Sequence, residues 1–504
     1  MKKWSVITLA IVLLISSLSA TVASQDTGTN KEVATEPEPF QLGFEVLLQE
    51  RLDEIRGKNV GLITNPTGVD QELNSIVDLF HNHPDVNLVA LYGPEHGVRG
   101  DAQAGEYVEF YIDEKTGLPV YSLYGETRKP TPEMLEDVDV LLFDIQDVGT
   151  RFYTYIYTMA YAMEAAAEND IEFIVLDRPN PLGGTKVQGP VLEPEYASFV
   201  GLYPIPLRHG LTVGELALLF NEEFDLGADL EVVEMQGWKR SMYYDDTPLH
   251  WVLPSPNMPT LDTALVYPGA ALIEGTNVSE GRGTTKPFEL IGAPFINGTD
   301  LAEQLNALEL PGVIFRTAYF TPLFSKHSGE LSGGIQIHIT DVNAFDPVET
   351  GLAIVKTIHD MYPDDFQFRA DSFFDNLVGN GWIREEINKG TSTEDIASRW
   401  QEDLQDFQQI RKHYLLYTNS VADLKTLVDD FVEQGGIAND SVAHSLQVHL
   451  TAVERYEQRE LAEKVVKHMT SFIQLLHHQR EQGLISREAH DTLKGEAETV
   501  ITQW

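Results

Sequence analysis

The sequence contains no cysteine. That excludes disulfides, a lipid-bearing cysteine anchor, thiolate metal sites and a thiol nucleophile, so a catalyst built on this chain works with oxygen and nitrogen groups. Basic residues are scarce: 35 lysines and arginines stand against 78 aspartates and glutamates, for a formal net charge of −43. Such a surface repels nucleic acid and anionic lipid, and no nucleic acid partner is expected. Long apolar runs are scarce too. Val6–Leu18, inside MKKWSVITLAIVLLISSLSATVASQ, falls short of the roughly 20 residues a spanning helix needs. Behind two lysines and ahead of the small residues Ala20–Ser24, it has the three-part form of a secretory signal peptide over residues 1–24. A secreted protein, extracellular or associated with the cell wall and without stable membrane insertion, is expected.

Common site motifs are missing as well. There is no G-x-x-x-x-G-K-[ST] phosphate loop, no G-x-G-x-x-G behind the first strand, no G-x-S-x-G elbow and no H-E-x-x-H. No cofactor and no metal are therefore expected. With thiols, nucleotide loops and the serine elbow set aside, carboxylate chemistry is what remains.

At 504 residues with 42% hydrophobic content, the chain is a folded protein with more than one core. Residues 25–42 are polar, contain proline and lack any apolar period, which predicts a flexible leader. Four short continuous apolar runs follow: Val60–Thr64, Val86–Tyr92, Val138–Phe143 and Glu172–Leu176. Their composition suits parallel strands covered on both faces, and the helical stretch Tyr153–Asn169 between the last two points to a doubly wound α/β sheet over residues 43–199. Residues 200–417 mix helices such as LTVGELALLFNEEF with strands such as LEVVEM, GVIFRTAYF and GIQIHIT, and read as a smaller α/β domain that completes a cleft. From residue 418 to 504, apolar residues at helical spacing with breaks at Gly435-Gly436 and Gly483 predict a four-helix module, its second helix capped by Asp440 or Ser441.

The loops behind the four strands are TNPTG, GPEHGVRGD, DIQDVGTRFYTY and DRPNPLGG. In an open parallel sheet the carboxyl ends of the strands share one edge, where ligands bind. Asn65, Glu95, His96, Arg99, Asp144, Gln146, Asp147, Arg151, Asp177, Arg178 and Asn180 are thus expected to be neighbours. Ile273–Glu289 supplies a polar loop from the second domain, with Glu274, Asn277, Glu280 and Arg282 within nine positions. Glycoside hydrolysis needs a protonated acid at the leaving oxygen and a second group as base, nucleophile or charge stabiliser. Glu95, Glu126, Asp144 and Glu274 are the acidic candidates. Tyr153 opens a helix beside the edge. Arg99, Arg151, Arg208 and Arg282 suggest an anionic group on the ligand, since guanidinium forks match carboxylates, with internal ion pairing as the competing use.

Taken in order, YGPEHGVRGDAQAGE, YSLYGETRKPT, DVLLFDIQDVGTRFYTYIYTM, VLDRPNPLGG, GLYPIPLRHGLTVGELA and EGTNVSEGRGTTKPFELIGAP closely resemble the NamZ type of exo-β-N-acetylmuramidase, glycoside hydrolase family 171. The likeness runs from about Gly43 to Tyr417. It implies a Rossmann-like domain followed by a smaller α/β domain, a cleft at their junction, and release of N-acetylmuramic acid from the non-reducing end of peptidoglycan fragments in wall turnover and recycling. It also implies Glu95 as the leading catalytic acid, with His96, Asp144, Arg151, Tyr153, Asn180, Arg208, His209, Glu274, Asn277 and Arg282 in the cleft. The partner of Glu95 stays open between Glu126 and Glu274. The C-terminal module is similar to the FIMAH domain, with contact to wall or polysaccharide as one expected role and solubility or spacing as another. A non-catalytic muropeptide-binding protein, an N-acetylglucosaminidase or an amidase on the same scaffold are the competing functions.

Overall fold

The computed structural model describes residues 40–100, 109–417, 420–459 and 461–504. The expected signal peptide lies outside the described residues. Residues 25–39 of the expected leader also lie outside them; its last residues are held, since Gln41 exchanges two backbone hydrogen bonds with Gln236, each 2.9 Å, and Leu42 precedes the helix Gly43–Glu50.

Twelve strands are present among the described residues: β1 (Asn59–Thr64), β2 (Asn87–Gly93), β3 (Tyr111–Ile112), β4 (Pro119–Ser122), β5 (Val140–Asp144), β6 (Glu172–Leu176), β7 (Gln188–Val191), β8 (Pro206–Arg208), β9 (Asp229–Val233), β10 (Leu290–Ala293), β11 (Val313–Phe320) and β12 (Ser332–Ile339). The main sheet runs β3-β4-β2-β1-β5-β6-β9, parallel throughout except for the short edge strand β3. Leu62 is level with Leu91 on one side and Leu142 on the other. Alternate residues feed two cores: Val60, Leu62, Val140, Leu142, Ile174 and Leu176 enter one, while Ile63, Leu141, Phe143, Phe173 and Val175 enter the other. Burial on both faces is why these strands read as unbroken apolar runs.

The strand Asp229–Val233 corrects the sequence reading. LEVVEM was expected in the second domain, yet β9 pairs in parallel with β6, Ile174 level with Glu231. The helix Val213–Glu223 is therefore the crossover of a β-α-β unit, interrupted by the small antiparallel ribbon of β7 and β8.

The second part is a three-stranded antiparallel sheet, β10-β12-β11, with helices Gly298–Asn306 and Pro347–Met361. Helix Leu261–Ala270 crosses the latter where Gly269 and Gly351 meet. A Cβ added to Gly351 would lie 2.4 Å from the Cα of Gly269, so side chains there would force the helices apart. That crossing fixes the single turn Ala271–Gly275, which carries Glu274. One continuous buried cluster joins Phe143 and Val175 of the first sheet to Ile291, Phe315 and Ile337 of the second.

Four helices follow, Val421–Glu433, Asp440–Glu457, Ala462–Glu481 and Arg487–Gln503, around a separate core that includes Leu424, Leu446, Leu450, Phe472 and Leu493. The cap of the second is Asn439, not Asp440 or Ser441: its Oδ1 accepts from the amides of Ser441 and Val442, both at 3.1 Å. Arg487 pairs with Asp341 at 2.6 Å, and the Ser241 hydroxyl donates to Glu496, so the module meets the preceding α/β region through polar contacts.

Candidate active site

A cavity of 390 Å³ opens at the carboxyl edge of the main sheet. Its wall is built by the loops after β2, β4 and β5, which bring Glu95 and His96, Tyr124 and Arg128, and Phe152–Tyr155. The second part closes it with Ser255, Tyr267, Glu274, Arg282, Phe373, Asn376 and Leu377. The volume falls within the roughly 300–1,000 Å³ usual for small-molecule sites.

Glu95 reaches the wall through a tight reversal at the end of β2. A Cβ on Gly93 would lie 3.0 Å from the Val98 amide nitrogen, so a side chain there would press the returning backbone outward. His96 sits at φ 76°, a left-handed conformation that costs a non-glycine residue on the order of 1–3 kcal/mol and is held by its surroundings. Glu95 is half-buried and accepts from the Tyr124 hydroxyl; His96 is buried beside it. Tyr153 and Tyr267 meet edge to face with centroids 5.8 Å apart, and Tyr155 packs edge-on to Tyr153 at 5.0 Å. Burial pushes all three phenols upward and keeps them neutral. The Tyr155 hydroxyl donates to the Pro254 carbonyl.

Glu274 is the second carboxylate in the cavity. Arg282 donates to its Oε2 at 3.1 Å and lies 3.4 Å from Glu280, whose other oxygen is 3.0 Å from Lys326. Burial drives the Glu274 carboxyl above the usual glutamate range; the Arg282 guanidinium opposes this and Glu280 adds to it. Two carboxyls of unlike surroundings, over a floor of neutral phenols, suit a reaction in which one group gives a proton and the other faces a developing positive charge.

Of the acids expected to partner Glu95, the structure brings in Glu274. Glu126 is exposed and lies outside the cavity lining, although Tyr124 and Arg128 from the same loop are in it. Tyr153, His96 and Arg282 line the cavity as expected.

The other expected ligand residues are used inside the fold. Arg99 forks onto Asp113 with two 3.0 Å bonds and touches Asp78 at 3.3 Å. Asp144 is fully buried and held by Arg178, whose Nη2 donates at 2.9 Å. Arg151 has no exposed surface; it donates to the carbonyls of Pro190, Ile205 and Leu377, each at 2.8 Å, and burial lowers it to about 10. That cage ties the β7–β8 ribbon to helix Phe373–Val378, which supplies Asn376 and Leu377 to the wall.

Arg208 donates to Gln188 Oε1 at 2.8 Å and to the Leu182 carbonyl. Asn65 accepts from the Thr67 amide at 2.9 Å, and Gln146 donates to the Pro179 carbonyl at 2.7 Å. Asn180 donates to Leu211 and accepts from Leu182, both at 2.9 Å, and buried His209 accepts from the Leu211 amide at 3.2 Å and faces Asp147 at 3.5 Å. Asn277 bridges to Asp365 and Gln367 at 2.8 and 2.9 Å. Arg99, Arg151 and Arg208, expected to meet a ligand, lie outside the cavity lining and hold loops behind it through these bonds.

Residues 60–262 match the description "Exo-beta-N-acetylmuramidase NamZ, N-terminal", residues 265–417 its C-terminal counterpart, and residues 421–502 the FIMAH domain. A peptidoglycan beta-N-acetylmuramidase NamZ of Bacillus subtilis strain 168 is 61% identical over 406 residues, which is 81% of this chain and 97% of that protein. Two crystal structures of DUF1343 family proteins from Bacteroides fragilis NCTC 9343 are also similar. One has 47% identity and a TM-score of 0.70, over 75% of this chain and 99% of the other. The second has 32% identity and a TM-score of 0.62, over 76% and 100%. With matches spanning the whole catalytic region, this chain belongs to the NamZ family of exo-β-N-acetylmuramidases, glycoside hydrolases, and carries a FIMAH domain behind it.

Proposed function

We propose that the protein is a secreted, exo-acting glycosidase that releases N-acetylmuramic acid from the non-reducing end of peptidoglycan fragments during cell wall turnover and recycling. The observation that carries the reading is the pairing of Glu95 and Glu274 in one aromatic-floored cavity, in a chain of this family. Glu95 is the proton donor to the leaving oxygen, aligned by the Tyr124 hydroxyl. Glu274, steadied by Arg282, faces the oxocarbenium-like centre. Secretion is supported by the N-terminal MKKWSVITLAIVLLISSLSA pattern, and among the described residues no helix is long and apolar enough to cross a membrane. The FIMAH domain, residues 421–502, is proposed to contact wall polymer.

The test is hydrolysis of a chromogenic β-N-acetylmuramide and of an unactivated muramyl disaccharide. Glu95→Gln is expected to lower kcat/KM by about 10²–10⁴-fold on the disaccharide. The loss is smaller on the chromogenic substrate, whose leaving group needs less protonation. Glu126→Gln, outside the cavity, retains near wild-type rates on both. Full activity of Glu95→Gln on the disaccharide would remove Glu95 from the chemistry.

A further inference from the structure

The cavity contains an arginine that the sequence did not single out. Arg128 lies at the exposed rim, behind β4, with its guanidinium carbon 3.7 Å from the centroid of the Phe199 ring. Phe199 is itself stacked on Tyr161, the planes within 6°, and Tyr124 packs against it at 6.2 Å. Stacking occupies the face of the guanidinium and leaves its N–H edges available.

In a chain with 78 acidic and 35 basic residues, carboxylate partners are abundant. Arg99 takes Asp113, Arg178 takes Asp144, Arg240 takes Glu215 and Arg282 takes Glu274. Arg128 pairs with no acid among the described residues, although it faces the same cavity as two glutamates. A planar cationic fork on the wall of a 390 Å³ cavity forms a receptor for a carboxylate.

N-acetylmuramic acid differs from N-acetylglucosamine by its lactyl ether, which ends in a carboxylate. We infer that Arg128, held on Phe199, binds that lactyl carboxylate and sets the preference for muramic over glucosaminyl substrates. The inference rests on the muramidase reading and adds to it the residue that recognises the acid.

The experiment compares a chromogenic β-N-acetylmuramide as the free lactyl acid with its lactyl methyl ester, in which one methyl group removes the charge Arg128 would meet. Wild-type protein is expected to favour the acid in kcat/KM by about ten- to a hundredfold, the value of one charged hydrogen-bonded contact. In Arg128→Gln the ratio falls toward one, mainly through KM. Arg128→Lys, which keeps the charge without the planar fork, gives an intermediate ratio and stands in should the glutamine variant fail to fold. A wild-type ratio of one, or a wild-type ratio retained in Arg128→Gln, overturns the assignment while leaving the muramidase reading intact. Wild-type protein inert toward both muramides overturns that reading and this one with it.

Discussion

Glu274 shows how neighbours set a carboxyl's proton affinity. Burial and the negative charge of Glu280 raise it, and Arg282 pulls it back. Glu280→Gln removes one raising charge and releases Arg282 from its 3.4 Å contact, so both changes favour ionised Glu274. If Glu274 works as the charged group, activity is lost as pH falls through its pKa, and the acidic limb of the kcat/KM profile moves to lower pH in Glu280→Gln. A displaced alkaline limb instead would give Glu274 the acid's role. Glu95, His96, Tyr153, Glu274 and Arg282 were legible in the sequence because polar groups packed into Gly- and Pro-bearing loops have little structural use. Arg99, Arg151 and Arg208 fall outside the cavity lining for a physical reason: sequence displays a charge but not the acid or carbonyls that it bonds in the fold. Tyr267 and Asn376 carried no local signal, since each reaches the cavity through the packing of a helix placed by distant residues.

At the scale of elements, the end of β6 is a junction. Asp177 accepts from the Thr212 hydroxyl at 2.7 Å and the Gly214 amide at 2.8 Å, which anchors the start of helix Val213–Glu223. The Tyr417 hydroxyl donates to the same carboxylate at 2.6 Å and accepts from the Met235 amide at 3.0 Å, binding the end of the catalytic region to the strand that opens its far edge. Tyr417→Phe leaves a buried carboxylate and a buried amide short of a partner. The expected cost is about 1.5–3 kcal/mol, read as a lower unfolding midpoint in urea with the slope unchanged. kcat/KM stays near wild type, because none of these groups lines the cavity. The four strands β1, β2, β5 and β6 were found within two residues of their observed ends, as burial on both faces gives them a composition no exposed segment shares. β9 was assigned to the wrong part because the β7–β8 ribbon inside the crossover hides its kinship to β6, and because an edge strand is only partly buried.

Across the whole molecule the acidic excess is the dominant electrostatic fact. Even if every lysine and arginine were paired with an acid, a formal charge of −43 would remain to be spread over the surface. Exposed pairs such as Arg487 with Asp341 contribute roughly 0–1 kcal/mol each, so they offset little of the mutual repulsion of the unpaired carboxylates. The folded state concentrates those charges and the unfolded chain separates them, which makes repulsion a cost of folding. Salt removes it: the screening length shortens from about 30 Å at 0.01 M to about 10 Å at 0.1 M. Raising sodium chloride across that range at pH 7 is therefore expected to raise Tm, steeply at first and then little once the screening length falls below the spacing of like charges. The same titration at pH 4.5, near the isoelectric point of about 4.5, is expected to show a much flatter response, since the net charge that salt screens is then largely gone. A Tm that falls with salt at pH 7 would mean that the surface ion pairs outweigh the net repulsion, and would assign the acidic excess to regions of the surface where the carboxylates are already far apart.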